Sequence, residues 1–180
     1  MNVANTNQSN NSNGEMTVAE NYRTIEQIFY NAMRVGYALG TLPTIESEMS
    51  GAKGIPYQEG YFYLLDSWET NPDTNRFMGE IKIWRNKIPV WGMQYFGYYP
   101  EYVQKFLKEV LLASYEKREF IGGRGPRHIE DSECVLVYTN KLTPGSEFWG
   151  FSGSEAIIDK RRAKSNVGWC RYQGFGMGWR

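Results

Sequence analysis

Histidine occurs once in this chain of 180 residues and cysteine only twice, and those scarcities exclude much chemistry at the outset. A Ser/His/Asp or Cys/His nucleophilic site would have to use His128, and no GxSxG turn accompanies it. Cys134 and Cys170 have neither CxxC spacing nor flanking histidines. Both fall in apolar strand candidates and read as reduced core thiols of a cytoplasmic protein. An excess of one charge is also lacking. Lys plus Arg number 20 and Asp plus Glu number 20, so there is no basic field of the kind that draws nucleic-acid backbones, and direct nucleic-acid binding is not expected. No apolar run approaches the length of about 18 residues that a membrane span needs, and no basic-then-apolar N-terminus suggests a signal peptide. Gly122-Gly123-Arg124-Gly125-Pro126 has the composition of a phosphate loop but lacks the GK[ST] ending and the strand-to-helix setting. Neither a metal nor a cofactor is expected.

Aromatic residues, by contrast, are plentiful at 16%, and the chain reads as organised around Phe77 to Gly97. There two strand candidates flank a polar turn, Arg85-Asn86-Lys87. In the first, Phe77, Gly79, Ile81 and Ile83 share one face and Met78, Glu80, Lys82 and Trp84 the other, a period-two alternation with one face buried. Residues 1–16, Asn-rich and nearly devoid of apolar groups, read as a disordered tail, and 17–180 as a single α+β domain. Thr17 followed by Glu20 is a capping-box pattern, and the spacing of Ile25, Ile28, Phe29, Ala32 and Met33 predicts a helix from about Val18 to Leu39, with Gly40 after its end. Thr41 to Tyr57, with Pro43, Gly51, Gly54 and Pro56, reads as a long loop, and Glu59 to Trp68 as the first strand, interrupted by Asp66. Pro100 opens a second helix whose buried stripe is Val103, Phe106, Leu107, Val110 and Leu111. Glu133 to Thr139, Phe148 to Asp159 and Val167 to Phe175 are three further strands.

The pattern around Phe77-x-Gly79 recurs at Phe151-x-Gly153, and Val90-Trp91-Gly92 with Tyr95 and Gly97 recurs as Gly168-Trp169 with Tyr172 and Gly174. With Trp91 set on Trp169, the tyrosines fall one residue out of register. The reading is two approximate βββ repeats joined by the second helix, in one antiparallel sheet or two facing sheets, with a cleft between the halves as a natural ligand site. Aligning Gly79 with Gly153 puts Glu155 on the inward face, where a carboxylate needs a partner; Arg124 and Arg171 are the candidates. Glu80, by the same parity, faces solvent or another layer. The strand glycines Gly79, Gly92 and Gly153 mark bulges or close approaches. Most tryptophans read as core; Trp84, on the polar face, is a candidate stacking platform. Arg124, Arg127 and His128 concentrate cations in a turn that reads as a solvated loop or an anion-binding one.

Pro89-Val90-Trp91-x-Met93-x-Tyr95-x-Gly97, Arg124-Gly125-Pro126, Asp66-Ser67 and Phe151-x-Gly153-x-Glu155-x-Ile157 resemble the pattern of an uncharacterised bacterial domain family of unknown function, found alone and C-terminal to helix-turn-helix regulators of the XRE type. The resemblance covers roughly residues 22–176 and implies a cytoplasmic domain that senses a ligand. This chain shows no helix-turn-helix pattern, only the Asn-rich segment, and the resemblance carries no catalytic residue. The leading expectation is a non-enzymatic small-molecule-binding or sensing domain, with Asp66, Glu80, Trp84, Trp91, Tyr95, Arg124, Glu155 and Arg171 as candidate ligand-binding residues. One alternative is a small hydrolase or lyase using Asp66 and Glu155 as an acid/base pair. Another is a protein-interaction module, pairing with a protein partner or a second copy along an exposed edge from Gly168 to Phe175.

Overall fold

The computed structural model describes residues 18–49, 51–162 and 165–178; the segment 1–16, the cap at Thr17 and Trp179 lie outside them. Helix α1 (Val18–Met33) buries Ile25, Ile28, Phe29, Ala32 and Met33, the stripe expected from its spacing. It then widens into a π turn, Arg34–Ala38. Gly40 follows at φ 63°, where a residue without Cβ ends the helical turn most readily. Strands β1 (Ile45–Glu46), β2 (Ala52–Glu59), β3 (Phe62–Thr70), β4 (Arg76–Arg85) and β5 (Ile88–Tyr98) then form an antiparallel meander. A short 3-10 turn, Glu101–Val103, leads into α2 (Gln104–Lys117), and a second meander follows: β6 (His128–Glu130), β7 (Leu136–Leu142), β8 (Gly150–Asp159) and β9 (Ser165–Gly176).

All nine strands belong to one sheet in the order β1-β2-β3-β4-β5-β9-β8-β7-β6. The two meanders therefore join edge to edge through β5 and β9, and the cleft expected between the halves is filled by a continuous ladder. Strand β9 is central, so the exposed edge expected along Gly168 to Phe175 does not exist; the free edges are β1 and β6. The loop expected over Thr41 to Tyr57 is also corrected, since it contains β1 and most of β2. Its glycines and proline masked the strands. Pro56 fits because β1 pairs only with Gly54 and Lys53, leaving Pro56 on an unpaired stretch of edge where a missing N–H costs no ladder bond.

The internal repeat is confirmed by register and enlarged by it. Ile81 pairs with Asp66 as Glu155 pairs with Asn140, and Gly79 pairs with Tyr95 as Gly153 pairs with Tyr172. The ladder slips between Ile83 and Trp84 in one half and between Ile157 and Ile158 in the other. Tyr95 and Tyr172 themselves pair across the β5/β9 junction, Gly97 with Cys170 and Met93 with Gly174, so a pseudo-twofold axis passes through the two tyrosines. Each repeat is one helix followed by four strands, with β1 an addition to the first. The match of Trp91 to Trp169 is corrected: the structural counterpart of Trp91 is Gly168, because Ile83 pairs with Trp91 and Ile157 with Gly168. One residue of slip moves a side chain to the other face, and Trp91 is fully buried while Trp169 lies on the opposite side.

Both helices cover the same face of the sheet, the one carrying Leu64, Ile81, Ile83, Trp91, Met93 and Ile157. Phe29 of α1 meets Trp91 with ring centroids 5.2 Å apart, and Phe148 stacks on Trp91 at 4.8 Å. The indole Nε1–H of Trp91 donates to the Phe148 carbonyl at 2.8 Å, so the ring is buried without an orphan donor. The hairpin turn between β4 and β5 is Asn86-Lys87, both at positive φ (49° and 67°), the geometry that matches strand twist. Cys170 is buried in β9 as expected. Cys134 is corrected: it is exposed, at φ 55°, in a turn whose Asp131 carboxylate accepts the amides of Val135 and Leu136. No helix among the described residues is long and apolar enough to cross a membrane.

Candidate functional site

The glycines of β4 and β8 turn out to organise a polar centre on the inner face. No bulge occurs at Gly79 or Gly153. The Tyr95 ring lies across Gly79, where a Cβ would come within 2.7 Å of it, and its hydroxyl donates to Asp66 Oδ1 at 2.5 Å on the next strand. In the second repeat the Tyr172 ring lies across Gly153 in the same way, and its hydroxyl donates to Asn140 Oδ1 at 2.5 Å. Both tyrosines are buried, as are Asp66 and Asn140.

Onto this axis the segment after α2 delivers a cation. The helix ends at Arg118 in the left-handed conformation, and Ile121 to Gly125 then run through the interior, not through solvent, with Arg124 5% exposed. Close approach is what the glycines there allow: a Cβ on Gly122 would lie 2.4 Å from the Tyr172 ring and one on Gly125 2.7 Å from Tyr138. Asn140 Nδ2 donates to the Ile121 and Gly125 carbonyls at 2.9 and 2.8 Å, and the Gly125 amide donates to the Tyr138 hydroxyl at 3.0 Å.

Arg124 meets Glu155, as one of the two sequence candidates requires. Its Nε and Nη2 donate to Oε1 at 3.0 and 2.5 Å, Tyr99 donates to the same oxygen at 2.6 Å, and Tyr138 donates to Oε2. The guanidinium also sits 5.8 Å above the Tyr95 ring, within range of a cation–π contact. The other candidate partner is corrected: Arg171 alternates to the opposite face of β9, where it is exposed. Burial opposes the charge on Arg124, yet Glu155 holds its pKa well above the ordinary value. Burial also drives Tyr95, Tyr99 and Tyr138 well above the usual tyrosine range, reinforced by the neighbouring carboxylates. Asp66 behaves differently. Burial pushes its pKa up to about 6, against the opposing pull of the Tyr95 hydrogen bond and of Arg124. Cys170, beneath the same centre, is pushed up to about 12 by burial. No group of three or more His, Cys, Asp or Glu among the described residues could hold a metal ion.

The sequence candidates thus divide between two faces. Asp66, Tyr95, Arg124 and Glu155 meet in the closed centre, and Trp91 belongs to the adjoining core. Glu80, Trp84 and Arg171 stand on the outer face. There Glu80 pairs with Lys82 at 2.5 Å, Trp84 tilts against Tyr63 at 5.7 Å, and Phe96 meets Trp169 edge-on at 6.1 Å. Tyr99, Tyr138, Asn140 and Tyr172 were missed by sequence reasoning; the signal for Asn140 and Tyr138 was their period-two parity, unusable until β7 is set in register on Glu155. The outer face also carries exposed Met78 and Phe175. It forms a concavity of about 1480 Å³ lined by Tyr63, Leu65, Met78, Glu80, Phe96 and Trp169, and a second of about 610 Å³ over β7, β8 and β9.

The fold and these two faces define a duplicated α+β domain with a sealed polar interior and an open aromatic sheet surface. Residues 71–175 match the family described as a domain of unknown function, DUF5680, and the chain belongs to that family. No curated protein and no solved structure gives a significant match. The family segment runs from the turn before β4 to β9, so it includes Arg124 and Glu155 and excludes Asp66.

Proposed function

We propose that this chain is a non-enzymatic ligand-binding or sensing domain whose ligand lies on the outer face of the sheet. The observation that carries this reading is the contrast between the faces. Inside, the Glu155 carboxylate is occupied by Arg124, Tyr99 and Tyr138, and Tyr95 is turned to Asp66, so the polar groups are spent on one another. Outside, aromatic and thioether groups line an open concavity larger than the few hundred Å³ that a small ligand usually needs, and an apolar patch of this kind marks an interaction site. Glu80 and Arg171, which line the two concavities, are then the sequence candidates nearest the ligand, Trp84 stands on the same face outside them, and Asp66, Tyr95, Arg124 and Glu155 stabilise the platform beneath.

Equilibrium dialysis of the native protein against a panel of aromatic and aliphatic small molecules tests the reading. Phe96→Glu should abolish binding while leaving stability within about 0.5 kcal/mol, because Phe96 is half exposed. Glu155→Gln should lower stability and leave affinity unchanged. The reverse pattern, with a folded Glu155→Gln protein losing binding or turnover and Phe96→Glu retaining it, would transfer the function to the inner centre. Asp66 and Glu155 would then become the acid/base pair of the alternative reading, for which the raised pKa of Asp66 is the one favourable sign.

A further inference from the structure

Resting on the outer-face reading, we propose that the ligand is an amphiphile with an oxyanion head, carboxylate or phosphate. The head is held between Lys141 and Arg171, and the apolar body lies across Phe96 and Met78. The strand pairing carries this placement. Lys141 is opposite Ser154, Ser154 opposite Arg171, Arg171 opposite Phe96, and Phe96 opposite Met78. Cross-strand partners point to the same side of a sheet, so these five residues form one row on the outer face, cationic at one end and apolar at the other.

The cations differ from their neighbours. Lys53, Lys82, Lys160, Arg161 and Arg162 each have an acidic partner, whereas Lys141 and Arg171, like Arg76 at the far side of the larger concavity, form no ion pair among the described residues; only Lys141 and Arg171 flank one hydroxyl. They flank the Ser154 hydroxyl from strands that are two spacings apart, roughly 10 Å at the backbone, a gap that two long side chains close on a single oxyanion. The smaller concavity contains Lys141, Ser154, Arg171 and Gln173 and shares Gln94 and Phe96 with the larger one. Head and body sites are therefore continuous. Beyond Met78 the row reaches the Glu69 carboxylate before passing to Ala52 on β2, and that carboxylate sets the length of the body. Arg171 and that carboxylate are three strand spacings apart, roughly 14 Å at the backbone, so an apolar chain or ring system of about that length fits between them, and a second anionic end is rejected.

Isothermal titration of the full chain with octanoate, octyl phosphate, octanol and inorganic phosphate tests the proposal, with the double variant Lys141→Ala/Arg171→Ala as control. Both substitutions are at exposed positions, and circular dichroism checks that the fold is kept. The expected result is binding of octanoate or octyl phosphate that weakens at least tenfold in the double variant and at high salt, while octanol binds weakly and equally to both proteins. Which of the two headgroups binds more tightly assigns the head. Inorganic phosphate binding as tightly as octyl phosphate would overturn the proposal, since the apolar body would contribute nothing. Octanol binding as tightly as octanoate, unchanged in the double variant, would remove the oxyanion head but leave outer-face binding standing. No binding by any probe would overturn the amphiphile proposal while the dialysis panel still decides the outer-face reading; sedimentation as a dimer that Phe96→Glu dissociates would overturn both and give this face to a second copy of the chain.

Discussion

Asp66→Asn should make the protein more stable at neutral pH, although it removes a charged residue hydrogen-bonded in the core. The folded-state pKa of Asp66 is about 6, against 3.8 for the free side chain, with burial as the main cause. A carboxyl whose pKa is raised by folding binds its proton more tightly in the native state. Its contribution is thus complete below about pH 4 and is lost as pH rises through 6. At about 1.4 kcal/mol per unit, the shift corresponds to roughly 3 kcal/mol between pH 4 and pH 8. Asparagine keeps an oxygen to accept from Tyr95, as Asn140 does from Tyr172 at the equivalent position of the second repeat, and carries no charge to desolvate. Its amide protons set the cost, about 1 to 3 kcal/mol if they find no acceptor, but that cost does not vary with pH. The decisive quantity is therefore the difference in unfolding free energy between variant and wild type, measured by urea denaturation at intervals from pH 4 to pH 8. It should move in favour of Asp66→Asn by about 3 kcal/mol over that range, with the change centred between pH 4 and 6. A difference flat with pH would refute the reasoning, and so would one that moves against the variant as pH rises.

Other consequences of the same geometry are measurable by the same denaturation curves. Arg124→Met leaves Glu155 without its cation in the core, and should cost about 3 to 5 kcal/mol; adding Glu155→Leu should recover most of that loss. Tyr30 is buried, and its hydroxyl has no hydrogen-bond partner among the described residues, so Tyr30→Phe should stabilise by about 1 kcal/mol. Gly122→Ala should destabilise by roughly 2 kcal/mol or more, because φ is 68° and the new Cβ would lie 2.4 Å from the Tyr172 ring; thermal melting should show the largest loss of any glycine change in the 122–125 segment.

What the sequence made legible was whatever depends on period and parity. The α+β class, the stripes of both helices, the β4/β5 hairpin and the inward direction of Glu155 follow from alternation, since a strand residue's face is set by counting in twos. What escaped depends on register or on tertiary contact. Asp66 reads as an interruption of an apolar strand because its compensating donor, the Tyr95 hydroxyl, is 29 residues away and reaches it only across the vacant position of Gly79. The cationic segment around Arg124 reads as solvated because nothing local reports that Asn140, Tyr138 and Tyr115 will hold its backbone. Strand β2 hid behind Gly54 and Pro56, and Trp169 was assigned to the wrong face by a slip of one residue. Of the candidate site residues, parity alone placed Glu155, Glu80 and Trp84; Arg124 was one of two candidate partners for Glu155, and only the fold chooses it over Arg171.

Asymmetry between the repeats explains why the centre is closed. Duplication gives each half a glycine, a tyrosine lying over it and a polar acceptor beyond: Gly79, Tyr95 and Asp66 in one, Gly153, Tyr172 and Asn140 in the other. The second half then has Glu155 where the first has Ile81, and its helix-to-strand connection turns inward to supply Arg124, where the first half's connection instead builds β1. Arg124 and Glu155 neutralise one another. Asp66 has no cation paired to it among the described residues, so the effect of burial on its carboxyl prevails and raises its pKa; two tyrosines and an arginine hydrogen-bond Glu155. A ligand anchored inside would have to displace hydrogen bonds already made at each of these groups, a cost of about 1 to 3 kcal/mol for every buried polar atom left unpaired. On the outer face, Lys141 and Arg171 form no ion pair among the described residues. On the outer-face proposal, a ligand there would break no internal hydrogen bond of the buried centre, whereas one bound inside would break several.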